Sequence, residues 1–212
     1  MTMTLRSLRV AGPVAVALTL AATLPADAHH MMGGRTPATF AEGLLSGLGH
    51  PVIGIDHLAF IVAVGLAVGV AGLSLAMPAV FVAASAVGVA IHVMGANLPG
   101  DELVVAASVI LAGGLLAAGR AARGSIVMWG ALFAVAGLFH GYAYGESIFG
   151  AERTPVWAYL LGLVVVQSAL ATAVALLMRK PLTSSLNARL AGAVIAGIGL
   201  AVLVGQFVPA GG

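Results

Sequence analysis

From Thr154 to Met178 the chain reads "TPVWAYLLGLVVVQSALATAVALLM", without one charged side chain. A run of this kind matches the ~20 apolar residues that cross a bilayer, and comparable runs recur along the sequence. In hydrocarbon every backbone N–H and C=O must be satisfied within the protein, and a helix does this segment by segment. The expected fold class is therefore all-α, a polytopic membrane bundle with the lipid bilayer as its surroundings. Composition agrees. Of 212 residues, 61% are hydrophobic and 8% charged, and the mean hydropathy is +1.12. A soluble domain carries about 25% charged residues. The length suits one compact bundle and no sizeable soluble domain. A net charge of +2 rests on few residues and says little about nucleic acid, and no nucleic-acid partner is expected. Without cysteine there is no disulfide, thiolate metal site or cysteine nucleophile.

The N-terminal segment is set apart from the spans. Arg6 and Arg9 precede the apolar run "VAGPVAVALTLAATLPADA", which ends in Ala26-Asp27-Ala28. A basic start, a short apolar core and an A-x-A end describe a secretory signal peptide over residues 1–28. An uncleaved first transmembrane helix is the alternative. Cleavage after Ala28 makes His29 the new N-terminus, followed by His30, Met31 and Met32. An α-amine beside two imidazoles and two thioethers suits capture of a soft or borderline metal; a flexible tail is the other reading.

Residues 29–42 then form a periplasmic segment, residues 43–208 a six-helix transmembrane domain, and 209–212 a tail. The helices are expected near 43–71, 76–96, 102–119, 125–144, 156–178 and 190–208, separated where Gly, Pro and charges gather. The first is expected to be interrupted near Gly49-His50-Pro51, because proline removes a backbone donor and Gly54 adds freedom. Arg120, Arg123, Arg179, Lys180 and Arg189 fall in the connections on one side, and Arg35 and Arg153 on the other. The positive-inside rule makes the first side cytoplasmic, so both mature termini face outward across a bacterial inner membrane. Glu42, Asp101, Glu102, Glu146 and Glu152 lie at the outer rim, where acids raise the local concentration of cations or simply solubilise loops. The bundle is open to forming a homo-oligomer.

In this layout His50, His57, His92 and His140 all fall in the outer half, and the inner half is almost without ionisable side chains. Scattered core histidines would not segregate so, and intramembrane ionisable groups favour a transport pathway or a catalytic site. On an unbroken helix His50 and His57, seven residues apart, lie ~10 Å apart along the axis. That is too far for one ion with ligands at ~2 Å, so either the helix is broken or there are two successive stations. Asp56 points about 100° away from His57 on a regular helix and is suited to orienting an imidazole of another helix. In "GLFHGYAYGES", His140 and Tyr144 share a face one turn apart, Glu146 stands near the helix end, and Gly137, Gly141 and Gly145 form a packing stripe. Gly43/Gly47 and Gly65/Gly69 read as packing seams alone.

His50-Pro51, Gly54, Asp56-His57 and "FHGYAYGE" (Phe139 to Glu146) resemble the HupE/UreJ family of hydrogenase- and urease-associated membrane proteins. The family is described as metal permeases, chiefly for nickel, with an H-x5-D-H motif in the first helix and F-H-G-x-A-H-G-x-E in a later one. The first motif is complete here; in the second, Tyr144 stands where the family usually has histidine. The resemblance implies uptake of a divalent cation, nickel foremost, with His50, Asp56, His57, His140 and Glu146 as metal positions. His92, on depth alone, and His29, His30 and Tyr144 are additional candidates. No cofactor is implied beyond the transported ion. Neutral imidazoles must bind it, so acid should weaken uptake.

The rivals are cobalt or copper as the cargo, an intramembrane metal-dependent hydrolase, and a metal-binding sensor or assembly factor that does not transport. Neither an H-E-x-x-H nor a serine-protease motif supports an enzyme.

Overall fold

A computed structural model describes residues 35–179 and 185–208. The signal segment, His29, His30 and the tail at 209–212 lie outside the described residues. Among those described, every regular element is helical: α1 Phe40–Ile53, α2 Ile55–Val70, α3 Pro78–Val93, α4 Asp101–Ala117, α5 Ile126–Gly145, α6 Arg153–Met178 and α7 Ser185–Gly205. Single 3₁₀ turns cover Ala121–Arg123 and Glu146–Ile148.

The expected first span is two helices. α1 and α2 meet at Gly54 with a bend of 78°. The break falls after the expected Gly49-His50-Pro51, which all stay within α1. Pro51 removes only its own donor, whereas Gly54 has extended backbone (φ −70°, ψ 105°) that ends the helical run. Gly54 N–H still reaches the His50 carbonyl at 3.0 Å, and the Gly54 carbonyl accepts from Leu58 N–H at 2.9 Å. The corner thus keeps backbone hydrogen bonds on both sides, which a break at membrane depth requires.

Among the described residues, three helices are long and apolar enough to cross a bilayer: α5 with its following turn, α6, and α7. The bent α1–α2 pair counts as a fourth if it is one span. The expected spans 76–96 and 102–119 are shorter than the sequence suggests, 16 and 17 residues for α3 and α4. Their C-termini are cut by left-handed glycines, Gly95 (φ 77°) and Gly119 (φ 67°), and Gly72 (φ 63°) ends α2 the same way. At each, the next residue donates back into the last turn: Leu73 to Val68, Ala96 to Ile91 and Arg120 to Leu115. This is the Schellman arrangement, which satisfies carbonyls that would otherwise be orphaned.

The glycine seams fix helix direction. Gly43 lies against Pro155 and Gly47 against Tyr159, so α1 and α6 run parallel. Gly137 lies against Phe81, Gly141 against Ser85 and Gly145 against His92, so α3 and α5 are parallel too. Gly113 faces Ala196 while Gly199 faces Ile110, so α4 and α7 are antiparallel. Gly65 and Gly69 carry α2 along α6, against Ala171 and Ala175. Small residues let backbones meet closely where lipid offers no hydrophobic drive for association.

One apolar core, with Phe60, Phe81, Trp129 and Phe133 at 0% exposure, fills the part of the bundle bounded by the basic connections. Arginines there also cap helices: Arg189 Nε donates to the Ala117 carbonyl at 3.0 Å, and Arg179 donates to the Leu73 carbonyl. Cations are favoured at helix C-termini. At the opposite end Thr39 caps α1. Its hydroxyl accepts from Glu42 N–H at 3.2 Å, and the Glu42 carboxylate accepts from Ala38 and Thr39 N–H at 2.8 and 3.1 Å. Those backbone donors, Ala38 first, hold the Glu42 carboxyl below its usual range.

Candidate functional site

The corner at Gly54 brings together what a straight helix would separate. His50 lies in the last turn of α1 and His57 in the first turn of α2, and their ring centroids are 5.8 Å apart. Of the two arrangements the spacing allowed, the broken helix is the one observed. Gly54 is required here because a Cβ would stand 2.7 Å from His57 Cδ2.

His57 Nδ1 and His140 Nδ1, on α2 and α5, are 2.9 Å apart. On its other side His140 Nε2 meets Ser108 Oγ of α4 at 3.0 Å, and Ser108 Oγ donates to the Val105 carbonyl at 2.7 Å. Proton counting orders this chain. The one hydroxyl proton of Ser108 goes to Val105, so His140 Nε2–H must donate to Ser108. A neutral His140 then accepts at Nδ1, and His57 donates from Nδ1–H. His57 is thereby set as the Nδ1–H tautomer, with Nε2 unprotonated.

His50 is held similarly from α6 and the 3₁₀ turn. Its Nδ1 lies 2.9 Å from Ser147 Oγ and 3.1 Å from Tyr159 Oη. Tyr159 and Ser147 both donate to the Tyr144 carbonyl, at 2.8 and 3.1 Å. With both hydroxyl protons so placed, His50 donates from Nδ1–H and it too keeps Nε2 unprotonated. Tyr144 is wholly buried against both imidazoles, its ring 5.1 Å from His50 and 4.3 Å from His57. Phe60 packs on His140 at 4.7 Å and Phe81 at 5.9 Å, so aromatic carbon closes the side toward the apolar core.

The other candidates are placed differently. Asp56 is half-buried, and its carboxylate accepts the backbone N–H of His57 at 2.8 Å. It steadies the first turn of α2, where a negative charge is favoured. Glu146 is exposed, whereas the adjacent Ser147 is buried. His92 stands apart from the other imidazoles, stacked on Tyr142 at 4.5 Å and Phe149 at 5.6 Å. Among the described residues no group of three or more His, Asp or Glu is arranged around one point for an ion. The arrangement is instead a row of imidazoles, His50, His57 and His140, each oriented by a hydroxyl or another imidazole.

Sequence reasoning missed those hydroxyls. Ser108 is a lone polar residue in an apolar helix, Ser147 directly follows the second motif, and Tyr159 lies on the seam with Gly47. Only their placement among otherwise apolar neighbours could have marked them.

The HupE / UreJ protein family profile matches residues 16–202. Protein HupE of Rhizobium leguminosarum bv. viciae is 32% identical over 194 residues, covering 90% of this chain and 97% of that protein. No solved structure matches.

Proposed function

The chain belongs to the HupE/UreJ family of membrane proteins, and from that premise we propose that it carries a divalent transition-metal cation, nickel foremost, into the cell for hydrogenase or urease maturation. It acts as a permease and not as an enzyme. Acids at the outer rim, Glu146 among them, gather the cation; His50 receives it, and His57 and His140 hold it next. Asp56 steadies His57. His29 and His30 would add a capture site at the mature N-terminus.

The observation that carries this reading is the 2.9 Å separation of two Nδ1 atoms from different helices. At metal–nitrogen distances of ~2.0–2.1 Å, ligands at right angles are about 2.9 Å apart and tetrahedral ones about 3.3 Å. Right-angle geometry is that of square-planar or octahedral nickel, and also of copper(II). Copper is accordingly the second reading. A cation taking both nitrogens displaces the His57 Nδ1 proton, which the neutral ring then carries at Nε2; protonation of either imidazole competes with the ion, so binding weakens as pH falls.

The seams support six alternating crossings. α1–α2 and α6 run one way, α3 and α5 the other, and α4 opposes α7. With the basic connections inside, both mature termini face the periplasm.

The test is uptake of nickel, cobalt and copper by cells expressing wild type, His57→Ala or His140→Ala at matched abundance. Each substitution should abolish most uptake. Uptake near the wild-type rate in both would remove the two-helix site from the pathway.

A further inference from the structure

We propose that the Gln167 carboxamide oxygen and the Tyr144 hydroxyl form a neutral oxygen station for the cation beside the imidazole row, an inference that rests on the transport reading above. Both side chains are wholly buried, and among the described residues neither Gln167 Oε1 nor Tyr144 Oη has a hydrogen-bond partner. Gln167 is the side chain that approaches the Tyr144 hydroxyl, but without hydrogen-bond geometry. Its Nε2 donates to Ser85 Oγ at 3.1 Å, so the carboxamide is held by its nitrogen end. Ser85 on α3, Tyr144 on α5 and Gln167 on α6 thus bring three helices to one polar point.

Its position suits a step after the imidazoles. Tyr144 stacks on His57, and a helical side chain leans back toward the helix N-terminus, which carries the hydroxyl away from the outer end of α5. Gly141 packs on Ser85, setting the station near the level of His140. Along α6, Gln167 lies about 12 Å beyond Tyr159 by helical rise, and Tyr159 is the residue that touches His50.

The chemistry differs from that of the imidazoles in a useful way. A buried polar group without a hydrogen-bond partner is costly, and replacing it by an apolar group of the same shape is neutral or stabilising. Packing therefore does not account for two such oxygens side by side. Nickel accepts neutral oxygen ligands, and an uncharged pair holds it less firmly than imidazole. Conduction needs sites strong enough to be occupied yet weak enough to be left. The imidazoles supply capture, and the oxygens supply the way out.

The test uses full-length protein in lipid vesicles with nickel(II) as the probe. Gln167→Met removes the carboxamide at similar volume, and Tyr144→Phe removes only the hydroxyl. Each should cut the transport rate by about tenfold or more while the imidazole-bound nickel equivalent still binds; the thermal midpoint should be equal or higher in Tyr144→Phe, whereas Gln167→Met also loses the Ser85 hydrogen bond. The double variant should lose little beyond either single one, because both act at one station. Transport at the wild-type rate in both variants overturns the station. Loss of binding together with flux also overturns it, because the two residues would then only position the imidazoles. If wild type moves no nickel, the transport reading itself falls.

Discussion

Gly54→Ala is the substitution whose effect the structure specifies most closely. The backbone at Gly54 (φ −70°, ψ 105°) is open to alanine, so no conformational strain arises. The new methyl would instead lie 2.7 Å from His57 Cδ2 and 3.4 Å from its Cγ. Carbon atoms in contact sit at ~3.5–4.0 Å, so the ring must withdraw by about 0.8 Å or more. Its Nδ1 is 2.9 Å from His140, and a displacement of that size carries it past hydrogen-bond range. The lost bond is worth about 0.5–1.5 kcal/mol net. Replacing glycine by alanine lowers the backbone freedom of the unfolded chain, which offsets about 0.4–1 kcal/mol of that. The protein should therefore stay folded while its metal site suffers. Loss of an orienting partner typically lowers metal affinity by about 10–100-fold, and that is the expected weakening of nickel binding. Titration of purified protein with nickel(II) measures it. Gly114→Ala is the control, because nothing lies within 4 Å of its Cβ position; it should bind as wild type does. Wild-type affinity in Gly54→Ala at equal folded protein would show that the placement of His57 does not determine binding.

Tyr144→His puts a second imidazole one turn from His140 and should tighten nickel binding relative to cobalt and copper in competition assays; an unchanged order and unchanged affinities would place Tyr144 outside the site. Glu146→Gln, at an exposed position, should raise the nickel concentration for half-maximal uptake at low salt, and the difference should vanish when the Debye length falls to ~3 Å at 1 M salt; a loss equal at all salt concentrations would make Glu146 a direct ligand. The capping box at Thr39 should persist above the ordinary glutamate value of ~4.3 and be lost as pH falls through the lower folded value of Glu42. Hydrogen exchange at Ala38 and Thr39 N–H reads this, and protection unchanged to pH 2 would contradict it.

Much of this architecture was legible in the sequence. Apolar runs of bilayer length dictate helices, and four-residue glycine spacing marks the seams that Gly43, Gly47 and Gly141 occupy. The H-x5-D-H spacing required a broken helix if its two imidazoles were to meet. The position of the break was less legible: Pro51 and Gly54 both disfavour a continuing helix, and the room needed by the His57 ring is a tertiary fact. Glu146 and Ser147 are a different case. By helical periodicity Ser147, seven residues beyond His140, returns to the motif face while Glu146 falls about 120° off it, and the chain there forms a 3₁₀ turn. That turn leaves Ser147 buried and Glu146 exposed. Ser108, Tyr159 and Gln167 were illegible for a plainer reason. Their partners lie on other helices, and a single polar residue in an apolar run carries no sign of what it will face.

The most direct measurement is nickel entering lipid vesicles that contain only this protein, with wild type compared against His57→Ala. The account predicts nickel inside wild-type vesicles, falling as external acid protonates the imidazoles, and none above background with His57→Ala. Nickel bound by wild type but never found inside the vesicles would contradict it, and would make the protein a metal-binding assembly factor.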